Sequence, residues 1–142
     1  MSGVGHRPAR ADERLLACRA LEPWLAHLER LHPRGQAGIE LGLERVQRVG
    51  QELSQDRQCP LIIVGGTNGK GSTCAYLEAI YSLAGYRVGC YTSPHLLCYN
   101  ERIRVDRRPA GDALICAAFA RIEAARQAAG DVPLTYFEFG TL

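Results

Sequence analysis

At 142 residues, 46% hydrophobic and 23% charged, the chain has the make-up of a folded domain with a core of its own, not of a disordered segment. A formal charge of +2 is too mild to argue for a nucleic-acid partner, and no stretch has the apolar length that a bilayer span needs. The first residues, MSGVGHRPARAD, lack the apolar segment of a signal peptide, and six scattered cysteines without a C-x-x-C pair suit free thiols in a reducing, cytoplasmic compartment.

Residues 1–11 read as a loose tail, and residues 12–142 as one folded unit. Two helical pieces come first, with Pro23 near the first turn of the second, where its missing N–H costs little. Trp24, Leu25, Leu28 and Leu31 then share one helical face. HPRGQAG, residues 32–38, is a loop by composition. Leu43, Val46, Val49 and Leu53 make a second apolar stripe, which predicts a helix over residues 42–54.

Residues 61–64, LIIV, form a short continuous apolar run that stops at Gly65-Gly66, the pattern of a buried parallel strand. STCAYLEAIYSLAGY predicts a helix with Ala75, Leu77, Ile80, Tyr81 and Ala84 apolar and Gly85 placed to end it. RVGCYTS reads as a second strand, and ERIRVDRRPAG as a strand running into a turn. Residues 111–129 predict a long Ala-rich helix closed by Gly130-Asp131. Thr135 and Glu138 have capping-box spacing and announce a further helix. Strands alternating with helices give an α/β class with a parallel sheet flanked by helices. Because the sequence stops one turn into that last helix, the chain is expected to be an N-terminal piece of something larger.

The chemistry concentrates in G-T-N-G-K-G-S, residues 66–72, between the apolar run and the helix. The first N–H groups of a helix have no partners and carry partial positive charge, so they attract an anion. Glycines let the backbone approach phosphate oxygens without a Cβ in the way, and Lys70 adds a movable charge. Ser72 or Thr73 can offer a hydroxyl to a phosphate or to its magnesium ion. The strict G-x-x-x-x-G-K-[ST] pattern is not met, since Val64 stands at the leading glycine and Gly71 follows the lysine. The plain alternative is a strand-to-helix turn that binds nothing; the lysine, hydroxyls and flanking elements favour the phosphate site.

A second cluster, YTSPHLLCYNERIRV, follows the next strand, at the sheet edge where open α/β folds bind ligands. Ser93 lies within reach of the same metal. Taken alone, His95 is best read as a structural loop histidine. The arginines of RIRVDRR read as a solvated strand and turn, since no aromatic stacking platform accompanies them.

GTNGKGS, then TSPHL with YNERI, then TYFE, together with IELGLERV at residues 39–46, resemble in that order the folylpolyglutamate synthase and dihydrofolate synthase family, which is similar to the Mur ligases. Here Glu40 stands where that family usually has aspartate. The resemblance implies a P-loop-type, Mur-ligase-like central ATP-binding domain, truncated in this chain. It implies an ATP-dependent ligase that joins L-glutamate to dihydropteroate and to reduced folates through an acyl phosphate, with ATP and Mg2+ required and no nucleic acid or membrane. The full-length protein would be a monomer, and this piece alone would be inactive. Carried over by position, Thr67, Asn68, Gly69, Lys70, Gly71 and Ser72 would bind ATP, with Lys70 catalytic. Ser93 would be a magnesium ligand. Glu40, Leu41, Gly42, Thr135, Tyr136, Phe137 and Glu138 would line the pterin site. The alternatives are a Mur-type ligase acting on a peptidoglycan precursor and a non-catalytic nucleotide-binding module.

Overall fold

The computed structural model describes residues 21–31, 42–53 and 59–142. Cys18, the 1–11 tail, the 32–38 loop and the expected pterin-site residues Glu40 and Leu41 lie outside them. Helix α1 is Glu22–Leu31, α2 Glu44–Glu52 and α3 Lys70–Leu83. Strand β1, Gly89–Tyr91, is followed by a 3-10 turn, Tyr99–Arg102, then β2, Ile103–Val105, and β3, Arg108–Pro109. Helices α4, Asp112–Ala128, and α5, Tyr136–Thr141, complete the order.

The core grows from α4. Its buried residues Ile115, Phe119, Ile122, Ala125 and Arg126 recur at helical spacing, so a single face turns inward. That face meets α2 through Val49 and Leu53, and Phe119 stacks edge-on against Trp24, Tyr99 and Phe139 with centroids 5.5–5.8 Å apart. The α1 stripe packs as expected: Leu28 is buried, with Trp24, Leu25 and Leu31 against the cluster. The α2 stripe is shorter than expected. Leu43 is 67% exposed because it serves as the N-cap, before the helical face begins.

Both turn expectations hold. Gly85 follows the C-cap of α3 at φ 86°, and Gly130 follows that of α4 at φ 91°, the left-handed conformation that glycine adopts without a Cβ penalty. Thr135 and Glu138 make the reciprocal cap of α5.

The sheet departs from expectation in its pairing. Among the described residues it has three strands in the order β1-β2-β3, all antiparallel. The connection from β1 to β2 holds only a short loop and a single 3-10 turn, with no helix long enough to carry the chain back for parallel pairing. Asp106 and Arg107, at φ 49° and 65°, then turn β2 into β3 as a two-residue hairpin whose twist matches the strands. The run at residues 61–64 is not a strand here. Leu61, Ile62 and Ile63 are exposed, since a parallel strand exists only through ladder bonds to neighbours and no described segment supplies them.

Candidate functional site

The glycine loop delivers the chain into α3 as the phosphate reading requires. Gly69 is the N-cap at φ 77°, and Gly66 sits at φ 148°, positions a side chain would strain. The carbonyl of Gly69 accepts from the Thr73 amide at 2.9 Å and the Thr73 hydroxyl at 3.0 Å. The Thr73 hydroxyl thus gives its hydrogen to its own helix, while Ser72, exposed in the first turn, still has one to give to a phosphate. Lys70 is exposed, and its Nζ donates to the carbonyls of Gly66 at 2.6 Å and Thr67 at 3.3 Å. An ammonium has three donors, so it closes over its own loop without turning into the core and keeps a donor for an anion.

Gly71 gives a separate indication. It lies inside the helix, where glycine costs roughly 0.5–1 kcal/mol relative to alanine. A Cβ built on it meets nothing within 4 Å, and the same holds at Gly69. Protein packing therefore does not require a glycine at 71.

Ser93 follows β1, is exposed, and precedes Pro94 across a cis peptide bond. No group of three or more His, Cys, Asp or Glu able to hold a metal occurs among the described residues. Ser93 offers one exposed hydroxyl oxygen, and a magnesium ion bound mainly through nucleotide phosphates needs only one or two oxygens from the protein.

The loop bearing Ser93 is held from behind. Glu101 Oε2 accepts from the Leu96 amide at 2.8 Å, and its Oε1 accepts from Leu97 at 3.0 Å and Cys98 at 3.1 Å. The Leu96 bond is the main reason that the Glu101 carboxyl stays below its usual range. Arg102 donates its Nε–H to His95 Nδ1 at 2.8 Å and lays its guanidinium over the rings of Tyr99 and Tyr136. Burial, and then the Arg102 charge, lower the His95 pKa.

The third expected segment, TYFE, is fixed by a different arginine. Glu138 accepts from the Thr135 amide at 2.8 Å and from Arg45 Nη2 at 2.9 Å. Burial would raise its pKa, but the Arg45 and Thr135 bonds outweigh that and hold it low. The Arg45 pair ties α5 to α2, just after Gly42, so two segments expected in one substrate site are joined. Within TYFE, Glu138 is occupied by capping and pairing, while Phe137 is 56% exposed and offers a flat apolar face. Of the four arginines in RIRVDRR, Arg107 and Arg108 are solvated as expected, but Arg104 pairs with buried Glu78 at 2.8 Å.

From the sequence Arg45, Glu78 and Glu101 have no assigned role and Arg102 is expected to be solvated; in the structure Arg102 is instead half-buried against His95. Glu101 had a signal: Cys98 and Glu101 stand at capping-box spacing, hidden because cysteine is an unusual cap. Tyr99 and Arg102 also had one, since i and i+3 eclipse on a 3-10 helix.

A glycine loop opening a helix with an unburied lysine, in a mixed α/β frame, has the form of a truncated Mur-ligase-like domain. No family model matches the chain. Dihydrofolate synthase/folylpolyglutamate synthase of Escherichia coli is 49% identical over 127 residues, 89% of this chain and 29% of that protein. The Haemophilus influenzae protein of the same description is 45% identical over 129 residues, 90% of this chain and 28% of that one. Among solved structures, E. coli FolC in complex with DHPP and ADP superposes with a TM-score of 0.76 at 48% identity, over 85% of this chain and 28% of that one. The Yersinia pestis bifunctional enzyme complexed with AMPPNP and Mn ion gives 0.74 at 52% identity, again over 85% and 28%. The chain belongs to the dihydrofolate synthase/folylpolyglutamate synthase family and spans less than a third of the length of these relatives.

Proposed function

We propose that a chain of the relatives' length carrying this sequence is an ATP-dependent ligase that adds L-glutamate to dihydropteroate and to reduced folates. It acts as a cytoplasmic monomer, and no described helix is long and apolar enough to cross a membrane. The observation that carries the reading is the loop at the start of α3. Its Lys70 ammonium is exposed, and Gly69 and Gly71 leave space that no protein atom fills.

A carboxylate is a poor electrophile, and bringing it to a triphosphate sets anion against anion. Transfer of the γ-phosphoryl group to the substrate carboxylate gives an acyl phosphate, and the glutamate amine then displaces phosphate to form the amide. In this assignment the amides from Thr67 to Ser72 cradle the phosphates, and Lys70 offsets the charge that spreads over the transferring group. Magnesium would be held by Ser93 and the phosphates, and would supply neutralisation of the same charge. Gly42 and residues 135–137, with Glu40 and Leu41, form the pterin side, Phe137 supplying the ring face. Glu138 holds that segment in shape.

The test is ADP release from ATP, dihydropteroate and glutamate by the full-length chain, with Lys70→Ala as the variant. Loss of turnover by about a thousandfold with an unchanged circular dichroism spectrum is expected for removal of a phosphate-stabilising charge. Near-normal turnover in Lys70→Ala would overturn the loop assignment. ADP release with a UDP-muramoyl substrate instead would favour a Mur-type ligase, and ATP affinity without turnover a binding module.

A further inference from the structure

We propose that Arg102 is a positioning residue that locks the loop of Ser93 and His95 to the TYFE helix by holding His95 and Tyr136 at once. This deepens the ligase reading and rests on it. Arg102 closes the 3-10 turn, one residue before β2 begins. Its Nε–H donates to His95 Nδ1 at 2.8 Å. A ring nitrogen that accepts carries no hydrogen, so the neutral imidazole keeps its hydrogen on Nε2 and remains a donor there.

The same guanidinium plane lies 5.3 Å from the Tyr99 centroid and 5.6 Å from that of Tyr136. Tyr99 in turn stands edge-on to Tyr136 and Phe119 and lies tilted against His95. One planar cation thus joins the loop after β1, the 3-10 turn and α5, and the assembly is rooted in the core through Phe119. Lysine cannot replace it, because a point charge on a flexible stem lacks both the in-plane Nε–H and the flat face. The neighbouring Glu101 carboxylate does not compete for Arg102, being occupied by three backbone amides. None of these contacts involves a residue of the glycine loop, so the loss of Arg102 should fall on the pterin side and on the metal held through Ser93, and should leave nucleotide binding measured without magnesium alone.

The experiment measures steady-state kinetics on the full-length chain for wild type, Arg102→Ala, Arg102→Lys, His95→Ala and the Arg102→Ala/His95→Ala double variant. It adds 15N-edited NMR of the imidazoles. The KM for dihydropteroate is expected to rise about tenfold or more in both Arg102 variants, the scale of one lost hydrogen bond to a charged group. The Kd for ADP measured without magnesium should stay within about twofold of wild type, well inside the effect of a single hydrogen bond. The double variant should fall short of the product of the single effects. In wild type Nδ1 should be the unprotonated nitrogen of His95, and in Arg102→Ala the two tautomers should mix.

Unchanged dihydropteroate KM in an active enzyme, full rescue by lysine, an equal rise in the magnesium-free Kd for ADP, or a protonated Nδ1 in wild type would each overturn the inference. A wild-type chain that ligates nothing would instead overturn the ligase reading. The imidazole spectra then still decide whether Arg102 fixes His95.

Discussion

Replacing Glu101 with glutamine should loosen the loop that carries Ser93 and His95 and leave the core as it is. The carboxylate accepts three amide hydrogens within 3.1 Å, two on one oxygen and one on the other. Glutamine keeps one acceptor oxygen and puts an NH2 donor where the second stood, so at least one amide faces a donor, and the bonds that survive lose their charge. A hydrogen bond to a charged group is worth about 1.5–3 kcal/mol and a neutral one about 0.5–1.5. Since Leu96 and Leu97 are exposed and water can take over their amides, the net loss should be about 1–2 kcal/mol. Hydrogen exchange is the direct assay: the amides of residues 96–98 should exchange roughly 5- to 30-fold faster in Glu101→Gln. Amides around Ile115 and Phe119 should not change. Unaltered exchange at the three amides, or an equal acceleration in the core, would refute the reasoning. The pH dependence has a fixed sign. Because the folded-state pKa of Glu101 lies below 4.5, its contribution is complete above that value and disappears as pH falls through the folded pKa.

Tyr99 Oη is buried without a hydrogen-bond partner, so Tyr99→Phe should leave thermal stability unchanged or slightly raised. In that background Gly140→Ala, whose Cβ would sit 2.5 Å from the hydroxyl, should lose the penalty of about 1–3 kcal/mol expected when Tyr99 is present. Glu78→Ala removes the partner of Arg104 and should cost about 2–4 kcal/mol by urea unfolding, as expected when one member of a mostly buried pair is left alone; a loss too small to measure would show that water replaces it. Glu123, held at about 2 chiefly by Arg126, should contribute stability at pH values above 4.5 that is lost as pH falls towards 2. After allowance for partial exposure the effect is about 2 kcal/mol, and Glu123→Gln should flatten that part of the acid-unfolding curve.

The sequence by itself determined what depends on neighbours along the chain. Helical periodicity placed α1, α3 and α4, the positive-φ glycines ended the helices, and the Thr135–Glu138 spacing announced its own cap, since each of these is a contact within a few residues. The glycine loop was legible for the same reason: strand-like run, loop and helix start are consecutive, and the unpartnered amides follow from helix geometry alone. Only the tertiary structure decided the sheet pairing, because strand direction is set by the length of the connection and by which ladder partners are present. The unpaired run at residues 61–64 shows this, as its composition is that of a buried strand whether or not a neighbour lies beside it. The posts that hold the site were likewise decided in three dimensions. Arg45 reaches Glu138 across 93 residues and Arg104 reaches Glu78 across 26, and no local pattern marks which of several arginines will be drawn inward. Charge identity is written in the chain, but the choice of partner depends on which elements pack together and how much water they exclude.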